Sequence, residues 1–99
     1  MASAEWSEDE IIAAVKAYLW MLDQEQAGKD YVKAHVRRDL LAGALSGRTE
    51  GSVEMRMCNI STVLQGMGRP FIDGYKPRAH VGPNVETVIR VAIKSIAGK

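Results

Sequence analysis

The sequence predicts an all-α fold: a compact bundle of about four helices, with a helix-turn-helix-like pair and a long basic loop before the last helix. Two observations predict it. Apolar residues recur at helical spacing in four separate stretches, and each stretch is preceded by a capping residue and followed by glycine or proline. Between the third and fourth stretches, three prolines and three glycines within residues 67–83 forbid a helix. Ninety-nine residues support one domain with one core. A hydrophobic content of 46% with 25% charged residues argues against disorder.

Helix one starts at a full capping signal. Ser7 is the N-cap, Glu10 reaches back to it, and Trp6 faces Ile11 as a hydrophobic staple. Glu8, Asp9 and Glu10 suit the positive end of the helix dipole. Ile11, Val15, Leu19 and Leu22 form the inward stripe, broadened by Ile12, Tyr18 and Met21, and the helix is expected from Glu8 to Ala27, stopped by Gly28. Trp20 falls on the flank, either as a core-edge aromatic or as a dimer contact.

Helix two is expected from Tyr31 to Leu45, capped by Asp30, with Val32, Val36, Leu40, Leu41 and Ala44 or Leu45 inward. Lys33, Arg37 and Arg38 then lie on its polar side, where cations hold a phosphate backbone without reading bases. His35 sits among them, as an ordinary boundary histidine or a phosphate contact.

Helix three is the organising element. Thr49 caps it, Gly66 or Gly68 with Pro70 ends it, and Val53, Met57, Ile60 and Leu64 form its buried stripe. Ser52, Arg56, Asn59 and Thr62 share the opposite, hydrogen-bonding face. Following helix two after a turn at Ser46–Gly47, it resembles the second helix of a helix-turn-helix, whose N-terminal side chains contact base edges. Arg48, Ser52 and Arg56 are the leading candidates for that contact and Asn59 the next. Glu50 and Glu54 count against it, because phosphates repel carboxylates unless they accept from cytosine or pair with an arginine such as Arg56. Gly51 costs a helix roughly 1 kcal/mol against alanine, which suggests either a close approach at that point or a later helix start.

The connecting arm, about fifteen residues long, is of a length that is usually functional or pinned by its own side chains. Phe71, Ile72 and Tyr75 can pin it, leaving Arg69, Lys76, Arg78 and His80 on an exposed ribbon. Asn84 is expected to cap a last helix from Val85 to Ala97. Its apolar face of Val85, Val88, Ile89, Ala92, Ile93 and Ile96 is wide enough to seal the core or to admit a second copy.

Net charge is only +1, yet the chain is polarised. Residues 1–30 carry seven acidic groups against two basic, and residues 31–99 carry eleven basic against five acidic. A polyanion is drawn to the second part and repelled by the first. The acidic start is unlike a signal peptide and the apolar runs are too short to span a bilayer, so a cytoplasmic protein without a membrane partner is expected. The lone Cys58 excludes an internal disulfide and a multi-cysteine zinc site, and beside the apolar stripe it is a packing residue rather than a nucleophile. No nucleophilic triad, metal-ligand cluster or phosphate loop occurs at a recognisable spacing. Catalytic residues, metal, cofactor and small-molecule substrate are therefore expected to be none.

Trp6, Tyr18-Leu19-x-Met21-Leu22, the run from Arg48 through Asn59-Ile60-Ser61-x-Val63-Leu64, and Gly68-x-Pro70-x-Ile72-x-Gly74-Tyr75-Lys76-Pro77 span nearly the whole chain. Together they resemble the N-terminal helical head domain of bacterial HNH endonucleases, including McrA-like, modification-dependent (type IV) restriction endonucleases. The resemblance implies that residues 1–99 are a DNA-binding head on a longer endonuclease, with cleavage performed by a separate HNH domain. The two histidines, His35 and His80, cannot supply a His-Asn-His metal site, so these residues are not expected to cut DNA. Double-stranded DNA is the expected partner, held by Lys33, Arg37, Arg38, Arg48, Ser52, Arg56, Asn59, Arg69, Lys76 and Arg78. The alternative is a protein-interaction or homodimerisation module that uses Trp20 and the last helix.

Overall fold

Ser7 starts the first helix as its sequence requires. In the computed structural model, which describes residues 5–78 and 81–97, Ser7 Oγ accepts from the Glu10 N–H at 3.1 Å. The Ser7 N–H in turn donates to Glu10 Oε1 at 2.8 Å, closing the capping box. The described residues form four helices and no strand: α1 Glu8–Gln26, α2 Lys33–Ala42, α3 Glu50–Gly66 and α4 Pro83–Ala97. α1 ends where Gly28 takes a φ of 74° and Lys29 donates back to the Gln24 carbonyl. α3 ends in the same way, with Gly68 at a φ of 71° and Arg69 N–H on the Leu64 carbonyl, so Gly68 rather than Gly66 is the stop.

The core is one cluster. α1 contributes Ile11, Ala14, Val15, Tyr18, Met21 and Leu22, and α3 contributes Val53, Met57, Ile60, Val63 and Leu64. α4 adds Ile89, Ala92 and Ile93, and the loop adds Ile72 and Tyr75. The inward line of α1 is rotated from the expected one. Tyr18 and Met21 are fully buried, while Leu19 and Ile12 sit at the edge. The rotation puts the Tyr18 hydroxyl beside Ser61 Oγ at 2.6 Å, where it also accepts from the Ile72 N–H at 2.9 Å. A buried phenol needs such partners, and here they tie α1, α3 and the loop to one atom.

α2 departs most from expectation. It is shorter at both ends, Asp30 does not cap it, and the Val32 that stands at its N-cap supplies no side-chain hydrogen bond. Val32 is exposed rather than inward, of the alternatives Ala44 and Leu45 it is Leu45 that is buried, and no residue of α2 itself is fully buried. Gly43 breaks the helix, and the turn that follows delivers Leu45 into the core, its N–H on the Leu40 carbonyl at 2.8 Å. The α2–α3 connection thus occupies residues 43–49, longer than the two-residue turn expected at Ser46–Gly47.

α4 begins at Pro83, a residue suited to a first helical position because it has no N–H to leave unpaired. Asn84 therefore lies inside the first turn and is not the cap. α3 packs against α1, α2 and α4. That central place removes the open front expected of it: among Glu50–Gly66 only Glu50, Gly51, Met55, Gln65 and Gly66 are exposed. Gly51 has open space around its Cα rather than a close neighbour, and the helix does not start after it.

Candidate nucleic-acid interface

The basic residues separate into two groups on different sides of α3. The first group forms where α2 and the loop meet α3. Lys33 Nζ donates to the Gly74 carbonyl at 3.1 Å and lies 4.4 Å from the centre of the Tyr75 ring. A Cβ at Gly74 would come within 2.9 Å of Lys33 Nζ, so the lysine tip would have to shift to make room for it. Arg37 pairs with Glu54 of α3 at 2.9 Å. One residue further along α3, Met55 Sδ lies 3.9 Å from Arg78 Nη1. The Arg78 backbone is pinned there because its N–H donates to Thr62 Oγ1 at 2.7 Å and its carbonyl lies 2.6 Å from the same oxygen.

Three cations from two elements thus gather beside α3, one of them paired with Glu54. Arg38 adjoins Arg37 and Lys76 follows Tyr75, and both are exposed without an ion-pair or hydrogen-bond partner among the described residues. Cys58 lies beneath this group. Burial pushes its thiol up despite the neighbouring Arg78 and Lys33, so it is held as the neutral, unreactive form.

The second group is turned inward on the Trp6 ring. Arg48 donates to both oxygens of Glu10, at 3.0 and 2.7 Å, and to the Glu5 carbonyl at 2.7 Å. Arg56 donates to Asn59 Oδ1 at 2.9 Å. Their guanidinium carbons lie 5.4 and 4.7 Å from the Trp6 ring centre, within cation–π reach. Asn59 is buried, not on an outward face, and Arg56 pairs with it rather than with Glu54. The Arg56 Nε is buried and meets no acceptor among the described residues. Burial and the nearby Arg48 both work against the Arg56 charge. Glu10 responds in the opposite sense: the Arg48 hydrogen bond above all, then the Ser7 N–H, lowers its pKa to about 2.

Ser52 is occupied at the start of α3. Its N–H donates to Thr49 Oγ1 at 3.1 Å and its hydroxyl serves the Thr49 backbone, a capping box with serine in the usual glutamate place. Arg69 is half-buried at the α3 end, beside Leu19, Asp23 and Ile96. His35 is exposed on α2, and His80 lies outside the described residues. No group of three or more His, Cys, Asp or Glu among the described residues could hold a metal. Among the described residues no helix is long and apolar enough to cross a membrane.

Sequence reasoning missed the acidic partners, Glu10 for Arg48 and Glu54 for Arg37, and the use of Trp6 as a platform. The only signal available was Trp6 itself, placed as a staple residue ahead of a helix whose third position is acidic. The described residues form a small all-helical bundle in which Lys33, Arg37 and Arg78 gather beside α3. No protein-family model, curated protein or solved structure matches the chain.

Proposed function

We propose that the chain is a non-catalytic double-stranded DNA-binding domain, the head that anchors an HNH-type, modification-dependent restriction endonuclease in the cytoplasm. The observation that carries the reading is the gathering of Lys33, Arg37 and Arg78 beside α3, flanked by Arg38 and Lys76, with Arg37 paired to Glu54. α2 and the loop supply the contact, not the front of α3. Exposed cations hold phosphates by replacing condensed counterions, so affinity is modest and falls with salt. A nonspecific dissociation constant on the order of 10⁻⁴ to 10⁻⁶ M at physiological salt is expected.

Fluorescence anisotropy of a labelled duplex, titrated at two salt concentrations, tests this. The double variant Arg38→Ala, Lys76→Ala removes two unpartnered charges and should reduce the salt slope by about two. Arg48→Ala with Arg56→Ala should lower stability and leave the binding of the folded protein near that of the parent chain. Binding that does not weaken as salt rises sinks the proposal. Loss confined to the Arg48 and Arg56 variant, with folding intact, would move the contact to the Trp6 side.

A further inference from the structure

α4 is the most amphipathic helix of the fold, yet it does not bury its whole apolar face. Val91 is 60% and Ile96 40% exposed, and with Val88 and Ala92 they line a groove of about 330 Å³ against α1. α1 and α4 run in the same direction, since the residues around Glu8 meet Gly82–Val88 and those around Leu22 meet Ile96. On the α1 side the groove is lined by Glu8, Ile12 and Lys16, and along α4 it runs from Thr87 past Val91 to Ser95.

Both stripes have the same length and the same order. Each is polar, apolar, polar at intervals of four residues, spanning about 12 Å of helix. Each is symmetric about its centre, Ile12 on α1 and Val91 on α4. The charges are opposite at the two ends of α1, and neither Glu8 nor Lys16 has an ion-pair or hydrogen-bond partner among the described residues.

We propose that this groove is a self-association surface, occupied by the same groove of a second copy lying antiparallel across a two-fold axis through Ile12 and Val91. A two-fold interface joins one patch to itself, so the patch must be self-complementary under exchange of its ends. This one is. Rotation brings Glu8 of one copy to Lys16 of the other, twice, while Ile12 and Val91 meet their own counterparts and Thr87 meets Ser95. A two-fold axis along the helices would instead lay α1 of one copy over α4 of the other, so that Glu8 and Lys16 would face Thr87 and Ser95 and leave both charges without an opposite partner. The apolar centre supplies attraction, and the rim pairs set register more than strength. A surface of two helix stripes is smaller than a standard permanent interface, so the dimer is weak and concentration-dependent. It leaves the α2–loop face free.

Sedimentation velocity at low salt, from about 10 µM to about 1 mM protein, reads the association over the range such a weak pair occupies. The parent chain should shift from monomer to dimer. Val91→Glu, at an exposed position, should raise the dissociation constant about tenfold or more, as should Glu8→Lys and Lys16→Glu separately. A mixture of Glu8→Lys and Lys16→Glu chains should recover association as a heterodimer, because each end again opposes unlike charges. Circular dichroism establishes that every variant is folded. A chain that stays monomeric throughout, as it would if another protein's helix fills the groove, overturns the proposal. So does a dimer indifferent to Val91→Glu, or charge variants that do not complement.

Discussion

At the scale of single residues, Tyr18 does more for this fold than its place on an apolar stripe suggests. Its hydroxyl serves Ser61 and the Ile72 N–H in a site without water access, and its ring lies 5.9 Å from that of Tyr75. Tyr18→Phe keeps the packing and orphans both partners, so we expect a loss of about 1–3 kcal/mol in urea unfolding. Ser61→Ala, which removes one partner and leaves the Ile72 bond intact, should cost less. Glu10 and Arg48 make a prediction in pH. The folded pKa of Glu10, about 2, lies below its ordinary value of 4.5. The unfolded chain therefore binds the proton first as pH falls. The stabilisation is complete above about pH 4.5 and disappears as pH drops towards 2. Denaturation midpoints of the parent chain and Glu10→Gln should differ most at neutral pH and converge near pH 2, and a gap that widens in acid would contradict the assignment. Other residues do structural work of the same kind: Ser61, Ile72 and Tyr75 join Tyr18 in holding the loop, and Gly74 makes room for Lys33.

Among the elements, α2 is held least firmly. It is ten residues long, its N-cap makes no side-chain hydrogen bond, and its apolar packing comes from the half-buried Val36, Leu40 and Leu41, supplemented by the polar contacts of Lys33 and Arg37. Isolated helices of that length are marginal in water, so its amides should exchange with solvent before those of α1 and α3 in native-state hydrogen exchange. Val32→Ser places a hydroxyl where the cap lacks one and removes an exposed valine, with an expected gain of about 0.5–1 kcal/mol and slower exchange in the first turn of α2. α3 offers the complementary test. Gly51 is exposed, has helical geometry and nothing within 4 Å of a Cβ, so Gly51→Ala should raise thermal stability by about 0.5–1 kcal/mol. A loss there would reveal a contact that the fold does not show. The helix boundaries of α1 and α3 were legible because their capping residues and glycine stops are local. α2 misled because Gly43 ended it early, and its inward residues were assigned on the assumption that the helix reached Leu45.

For the molecule as a whole, one core formed by α1, α3, α4, Leu45 and the loop, with α2 packed against it, makes global unfolding a single cooperative event. Far-ultraviolet circular dichroism and tryptophan fluorescence should therefore report one coincident thermal transition. The fluorescence change should come mainly from Trp6, which is buried, since Trp20 is 51% exposed in the folded state. Divergent midpoints would mean that α2 or the 67–82 loop melts independently of the core. The polarised charge seen along the chain survives folding only in part. Arg48 is returned to the acidic first segment by Glu10, while Lys33, Arg37 and Arg78 gather on the other side of α3. The all-α class, the capped starts of α1 and α3 and the glycine stops were determined by sequence alone, because each depends on residues within a turn or two or on an apolar period. Which cations face solvent was decided only by the tertiary structure. An arginine's partners lie across the fold, thirty-eight residues away for Arg48 and Glu10 and seventeen for Arg37 and Glu54, and helical periodicity carries no information about them.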